Sequence, residues 1–153
     1  MTTLFYNARL VDAFCDNDGA ILVEDGFIKN VFMGFLLPSV LNTLFKENSE
    51  VEMVDCKGLV LMPSFVDMHA HFRYPGQPQK EELETALKAA VAGGFGTLML
   101  MPNTNPVVSS AEEARFVQLQ AAQLKLADVV KSISITRGFD GTNTEHLTRL
   151  DSS

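Results

Sequence analysis

The chain has 153 residues, of which 46% are hydrophobic, and it carries a formal charge of −7 with a pI near 4.8; this is enough apolar material for a sizeable core and argues against disorder. With no Lys/Arg cluster, the acidic balance speaks against nucleic acid or an anionic membrane as partner, and any anionic ligand would need a local cation to hold it. Cys15 and Cys56 lie far apart without metal-type spacing and read as reduced thiols, and the start Met1-Thr2-Thr3-Leu4-Phe5-Tyr6 lacks a basic-then-apolar leader, so the expected location is cytoplasmic.

In chain order, residues 4–11 and 20–24 are strand-like, and Asn17-Asp18-Gly19 between them has turn chemistry. Asp25-Gly26 then leads into residues 27–32 as a hairpin. Residues 31–44 are apolar but broken by Gly34, Pro38, Ser39, Asn42 and Thr43; the run is too short to span a membrane and reads as a buried turn with a short helix. Residues 51–55 close this small β unit before Lys57-Gly58.

From Leu59 the rhythm becomes strand, helix, strand, helix, strand, which implies a parallel sheet with right-handed crossovers. The run from Leu59 to Val66 is almost wholly hydrophobic, as expected of a strand covered on both faces, and polar residues begin only at its end. There, Asp67-Met68-His69-Ala70-His71-Phe72-Arg73 alternates. One row is Asp67, His69, His71 and Arg73, and the other is Val66, Met68, Ala70 and Phe72. Strand C-terminal ends are where α/β barrels and open α/β sheets build their active sites. Histidines two apart on one face sit roughly 6.5 Å apart at Cα, so both rings can converge on one metal ion such as Zn2+. The plainer reading is a pair of strand-end histidines with no metal.

Downstream, residues 81–91 read as a helix with Leu83, Leu87, Ala90 and Val91 as its buried stripe, stopped by Gly93-Gly94. Residues 97–101 form the next strand, closed by Pro102-Asn103-Thr104-Asn105-Pro106. Ser110 and Glu113 form a capping box that opens a helix with Ala114, Val117, Ala121 and Leu124 on one face. Residues 129–135 are a third strand, and Thr142 with Glu145 suggests a second capping box ahead of Leu147 and Leu150. His146 reads as solvent-exposed, and Met62, Met68, Met99 and Met101 as core packing.

Four motifs, in order and spacing, carry a resemblance. They are Asp67-Met68-His69-Ala70-His71-Phe72-Arg73-Tyr74-Pro75-Gly76, Lys80-Glu81, Ala89-Ala90-Val91-Ala92-Gly93-Gly94-Phe95 and Met101-Pro102-Asn103-Thr104-Asn105-Pro106. Together they resemble the amidohydrolase superfamily and, within it, the class I dihydroorotases. The turn Glu24-Asp25-Gly26-Phe27-Ile28 is similar to the start of the small β-sandwich beside that family's barrel.

The resemblance implies an α/β fold in two parts: residues 1–58 as part of a β-sandwich, and residues 59–153 as the first three βα units of a (β/α)8 TIM-type barrel. It implies that His69 and His71 bind one ion of a binuclear Zn2+ centre. It also implies that Arg73 and Asn103 hold the carboxylate of a small-molecule substrate, a guanidinium fork and an amide donor suiting that group. Asp67 is expected to orient an imidazole or the strand end. The implied reaction is reversible hydrolysis of dihydroorotate to N-carbamoyl-L-aspartate in pyrimidine biosynthesis, with metal-assisted attack of water on the cyclic amide. Arg73 separates this from the hydantoinases and dihydropyrimidinases, whose substrates lack the ring carboxylate, while allantoinase-like enzymes stand closer.

Three positions depart from the family pattern: Ser64 where glycine is usual, Tyr74 where an acidic residue is usual and Gly96 where threonine is usual. A whole barrel takes about 250 residues, and the family's bridging lysine or aspartate, further metal histidines and catalytic aspartate come from later strands. The expectation is therefore a fragment, with no catalytic residue of its own and no turnover alone. A homo-oligomer or a carbamoyltransferase partner is implied for the complete protein, and a non-catalytic assembly partner is the alternative of another class.

Overall fold

The computed structural model describes residues 1–36, 38–41 and 51–150. They fall into two compact units, Met1–Pro63 and Ser64–Ser153. Of the apolar stretch 31–44, residues 37 and 42–44 lie outside the described residues.

In the first unit, β1 (Thr2–Val11), β2 (Asp16–Glu24) and β3 (Phe27–Met33) form an antiparallel meander. A four-residue helical turn, α1 (Pro38–Leu41), follows. On the other flank of β1, both β4 (Val51–Asp55) and β5 (Val60–Leu61) pair with it in parallel. The sheet order is β3-β2-β1-β4, with β5 on β1 beyond β4. The turn between β1 and β2 lies earlier than the Asn17-Asp18-Gly19 signal suggests. Asp12 Oδ1 accepts the N–H groups of Phe14 and Cys15 at 2.7 and 2.8 Å, and this aspartate-capped turn leaves residues 17–19 free to pair with β1. Leu4, Ala20 and Leu41 are the buried centre of the unit. The other sheet face lines an apolar concavity of about 550 Å3, among Phe5, Leu10, Ile21, Val23, Val31 and Met33.

The expected strand through Leu59–Val66 is two strands serving two sheets. Pro63 separates them: it has no N–H to donate to a ladder. β5 stays with β1, and β6 (Phe65–Ala70) opens the second unit. The division therefore falls at Pro63 rather than at Gly58.

The second unit is a parallel three-stranded sheet, β6-β7-β8, with β7 at Phe95–Leu100 and β8 at Asp128–Lys131. Helix α2 (Leu83–Ala92) joins β6 to β7, and α3 (Ala111–Leu124) joins β7 to β8. The α2 stripe buries Leu83, Ala86 and Leu87, while Val91 is exposed, because the face turned to the sheet is the 83/86/87/90 row. Ser110 and Glu113 make the reciprocal capping box that opens α3, whose buried face is Ala114, Val117 and Ala121. These residues pack with Ala70, Phe72, Leu98 and Leu100 into one core.

Three expectations fail in this unit. Val66, Met68 and Met62 of the first unit are exposed, not packed, so apolar character alone misplaces them. The strand of residues 129–135 ends at Lys131. The box expected at Thr142 and Glu145 is absent: Thr144 is the N-cap of a 3-10 helix, Glu145–Arg149, and makes no side-chain cap bond. Asp140 Oδ1 instead accepts the N–H groups of Thr142 and Asn143, at 2.8 and 2.9 Å, which spends Thr142 on a turn. Those two bonds hold the Asp140 carboxyl below its ordinary range.

Ser64 and Gly96 compensate each other. A Cβ placed on Gly96 would run into the side chain of Ser64, so the hydroxymethyl group at 64 occupies the space that a side chain at 96 would need. Tyr74 packs against the core.

Candidate functional site

The site begins at an irregularity in β6. Asp67 pairs with Leu98 and Ala70 with Leu100, so three steps on β6 match two on β7. Such a bulge takes a backbone donor out of the ladder and re-aims the side chains beside it. Asp67 Oδ1 accepts the freed N–H of His69 at 2.9 Å. The carboxylate thus holds the strand end, not an imidazole.

Past that bulge the two imidazoles meet. His69 Nε2 and His71 Nε2 lie 3.1 Å apart, and the rings sit edge to face at 4.9 Å between centroids and 64° between planes. Both side chains are exposed, whereas Ala70 and Phe72 between and beyond them are buried and fix the backbone. A separation of 3.1 Å is shorter than two zinc–nitrogen bonds of about 2.0–2.1 Å laid end to end, so one ion is within reach of both nitrogens. The donor set fits half of a zinc site. Among the described residues, no group of three or more His, Cys, Asp or Glu gathers to hold a metal ion.

Asn103 joins this pair from the next strand. Its Oδ1 lies 2.8 Å from His71 Nδ1, a contact across 32 positions that arises because β6 and β7 run parallel and end on the same side. The loop that carries Asn103 is held from several directions. Met101 N–H donates to the Ala70 carbonyl, and Val108 N–H to that of Pro102. The buried Thr104 hydroxyl donates to Pro106 at 2.8 Å.

β8 adds Lys131, whose ammonium donates to the Met101 carbonyl at 2.6 Å. This lysine is only 5% exposed, and burial pushes its pKa down from 10.5 to about 8. Sequence reasoning passed over it. The available signal was a lysine in the inward register of Asp128-Val129-Val130-Lys131, an apolar strand on the buried side of a helix.

Arg73 follows the histidines into the loop after β6. It is half-buried and forms no side-chain hydrogen bond or ion pair among the described residues. Its carbonyl accepts Gln77 N–H at 3.1 Å. Three residues on, Gly76 lies so close to the Asn105 carbonyl that a Cβ there would overlap it, and Asn105 N–H donates to Pro75. The loops bearing Arg73 and Asn103 are therefore in backbone contact.

His146 is not the solvated residue expected. Its Nε2 donates to the Ser134 carbonyl at 2.9 Å while Nδ1 is buried without a partner, so it ties the last 3-10 helix to the segment after β8. Ser134 in turn shares a 2.8 Å hydrogen bond with Ser109, just ahead of α3. This network ties the segments after β7 and β8 together and reads as structural.

A family model described as dihydro-orotase-like matches residues 58–152. A dihydroorotase of Clostridium botulinum is 40% identical over 147 residues, which is 96% of this chain and 34% of that protein. One from Aquifex aeolicus is 38% identical over 137 residues, covering 88% of this chain and 30% of its own. The chain thus spans about a third of the length of these curated relatives. Among solved structures, L-hydantoinase from Arthrobacter aurescens superposes with a TM-score of 0.66 at 25% identity, over 84% of this chain and 27% of that one. A D-hydantoinase at 21% identity and a TM-score of 0.62, over 89% and 28% of the two chains, shares the fold.

Proposed function

The chain belongs to the dihydro-orotase-like family of cyclic amide hydrolases, and from that premise we propose that it supplies one zinc half-site and the carboxylate clamp of a dihydroorotase. The observation that carries this reading is the 3.1 Å approach of His69 Nε2 to His71 Nε2 at a parallel strand end.

His69 and His71 would hold one Zn2+ of a binuclear centre. When bound, zinc supplies Lewis-acid polarisation of the amide carbonyl and lowers the pKa of water toward 7. Arg73, free of protein partners among the described residues, would pair with the substrate carboxylate, and the Asn103 amide would add a donor. In an acidic chain, this guanidinium is the local cation that a carboxylate substrate requires. Asp67 keeps the strand end in register beneath the rings.

On this reading the β-α-β-α-β second unit is the start of a (β/α)8 barrel, and the first unit is part of a β-sandwich. The site faces a small-molecule substrate in the cytoplasm. Among the described residues no helix is long and apolar enough to cross a membrane. A hydantoinase-like substrate without a carboxylate is the second reading, supported by the L-hydantoinase neighbour; Arg73 weighs against it.

Zinc titration of the purified chain tests the half-site. We expect one zinc-binding site, abolished in His71→Ala, and no hydrolysis of dihydroorotate, since no group of three or more metal-type ligands gathers among the described residues. Failure of the chain to bind zinc would overturn the half-site. Turnover by the chain with zinc alone would overturn the view that it supplies only a portion of the machinery.

A further inference from the structure

We propose that Asn103 is a two-ended positioning residue: its amide oxygen holds His71 in the tautomer that leaves Nε2 bare, while its NH2 stays available to an anionic ligand.

The argument starts from what each atom can do. A carboxamide oxygen only accepts, so at 2.8 Å from Asn103 Oδ1 the His71 Nδ1 must carry the proton. In a neutral imidazole the other nitrogen is then a bare lone pair, and here that nitrogen is the one facing His69 Nε2 at 3.1 Å. Histidine in water prefers the opposite tautomer, with the proton on Nε2, so the metal-ready form needs a partner to select it. Asn103 supplies that partner from a different strand.

The loop behind Asn103 is built to resist movement. Lys131 from β8 pins the Met101 carbonyl, Ala70 of β6 accepts the Met101 N–H, and buried Thr104 locks the following turn. Three strands therefore converge on the placement of one amide. With its oxygen committed to His71, the Asn103 nitrogen has two donors left. One residue thus links the metal ligand to the carboxylate clamp, and the inference rests on reading His69 and His71 as a metal half-site.

The test uses the full 153-residue chain with 15N-labelled histidine at about pH 9, well above the ordinary imidazole range. Long-range 1H–15N spectra, assigned with His71→Gln, report which His71 nitrogen bears the proton. We expect Nδ1–H in the wild type and a shift toward Nε2–H in Asn103→Leu, with zinc affinity falling about tenfold or more. Asn103→Asp, which keeps an acceptor oxygen, should retain the wild-type tautomer and bind zinc at least as tightly as the wild type, since a carboxylate raises the basicity of the ring it accepts from. A wild-type His71 protonated on Nε2 overturns the proposal without recourse to any variant. So does an Asn103→Leu protein with unchanged tautomer and affinity, or an Asp variant no better than Leu. A wild-type chain with Nδ1–H that binds no zinc would support the Asn103–His71 link and sink the half-site reading instead.

Discussion

In the first unit β1 has an antiparallel neighbour on one side and parallel ones on the other, so strand C-terminal ends point both ways across the sheet. In the second, β6, β7 and β8 all run the same way and their C-terminal ends fall along one side. The chemistry follows that difference. His69, His71, Arg73, Asn103 and Lys131 all lie at or just past the ends of those parallel strands, whereas the polar groups of the first unit make exposed pairs such as Arg9–Asp16 and Lys29–Glu24. Packing differs in the same sense. The first unit buries Leu4, Ala20 and Leu41 and leaves Phe27, Ile28 and Met33 exposed on β3, while the second has a continuous core around Leu87 and Leu100. A parallel sheet needs helices to bury its residues, and α2 and α3 cover the face that carries Leu98 and Leu100.

The sharpest challenge to that contrast is a pair of truncations. Leu100→Ala, at a fully buried position, should cost about 3 kcal/mol in urea unfolding. Met33→Ala, at 61% exposure, should change stability by less than about 0.5 kcal/mol. Equal costs would mean that the β3 face is covered in solution.

Next in size is pH. Burial lowers the Lys131 pKa from 10.5 to about 8, so the folded chain releases that proton before the unfolded one does. The stability contribution is therefore complete above about 10.5 and is lost as pH falls through about 8. At about 1.4 kcal/mol per pH unit it amounts to about 3 kcal/mol at most. Comparing pH-dependent unfolding of wild type and Lys131→Met isolates it, and parallel curves would show that the amine is not buried.

A smaller effect is expected at the pair that trades places. Gly96→Thr should cost about 1–3 kcal/mol through overpacking against Ser64, and adding Ser64→Gly should recover most of it. Additive losses in the double variant would refute the compensation. Smallest is the cap: Ser110→Ala should lower stability by about 1 kcal/mol, while Thr144→Ala, where no cap bond exists, should leave the unfolding midpoint where it is.

The legible part of the site is local. Alternation from Asp67 to Arg73 marks the polar row that carries both imidazoles because a strand's period needs no tertiary knowledge, and the Ser110 box is visible because its two partners are three residues apart. What eludes sequence reading depends on register. Whether Asn103 meets a ring or only a carboxylate depends on which β7 residue ends beside Ala70, and the extra step in β6 decides that. Lys131 hides for a related reason, since a lysine in a short strand is ordinarily solvated and only the depth of β8 under α3 buries it. The split at Pro63 and the exposure of Met68 show the limit of hydrophobicity as a guide, for an apolar residue records a tendency to be covered and not the element that covers it. Thr142 and His146 fail differently: Asp140 and Ser134 captured their surroundings first.

Gly76 carries one last implication. Because its missing side chain lets the segment after β6 rest on the Asn105 carbonyl, an added methyl there would overlap that carbonyl and press apart the two loop rims, on a backbone whose φ of +94° favours glycine. The gap between those rims is thus set by the thickness of bare peptide. A side chain at position 76 would therefore cost stability as well as contact.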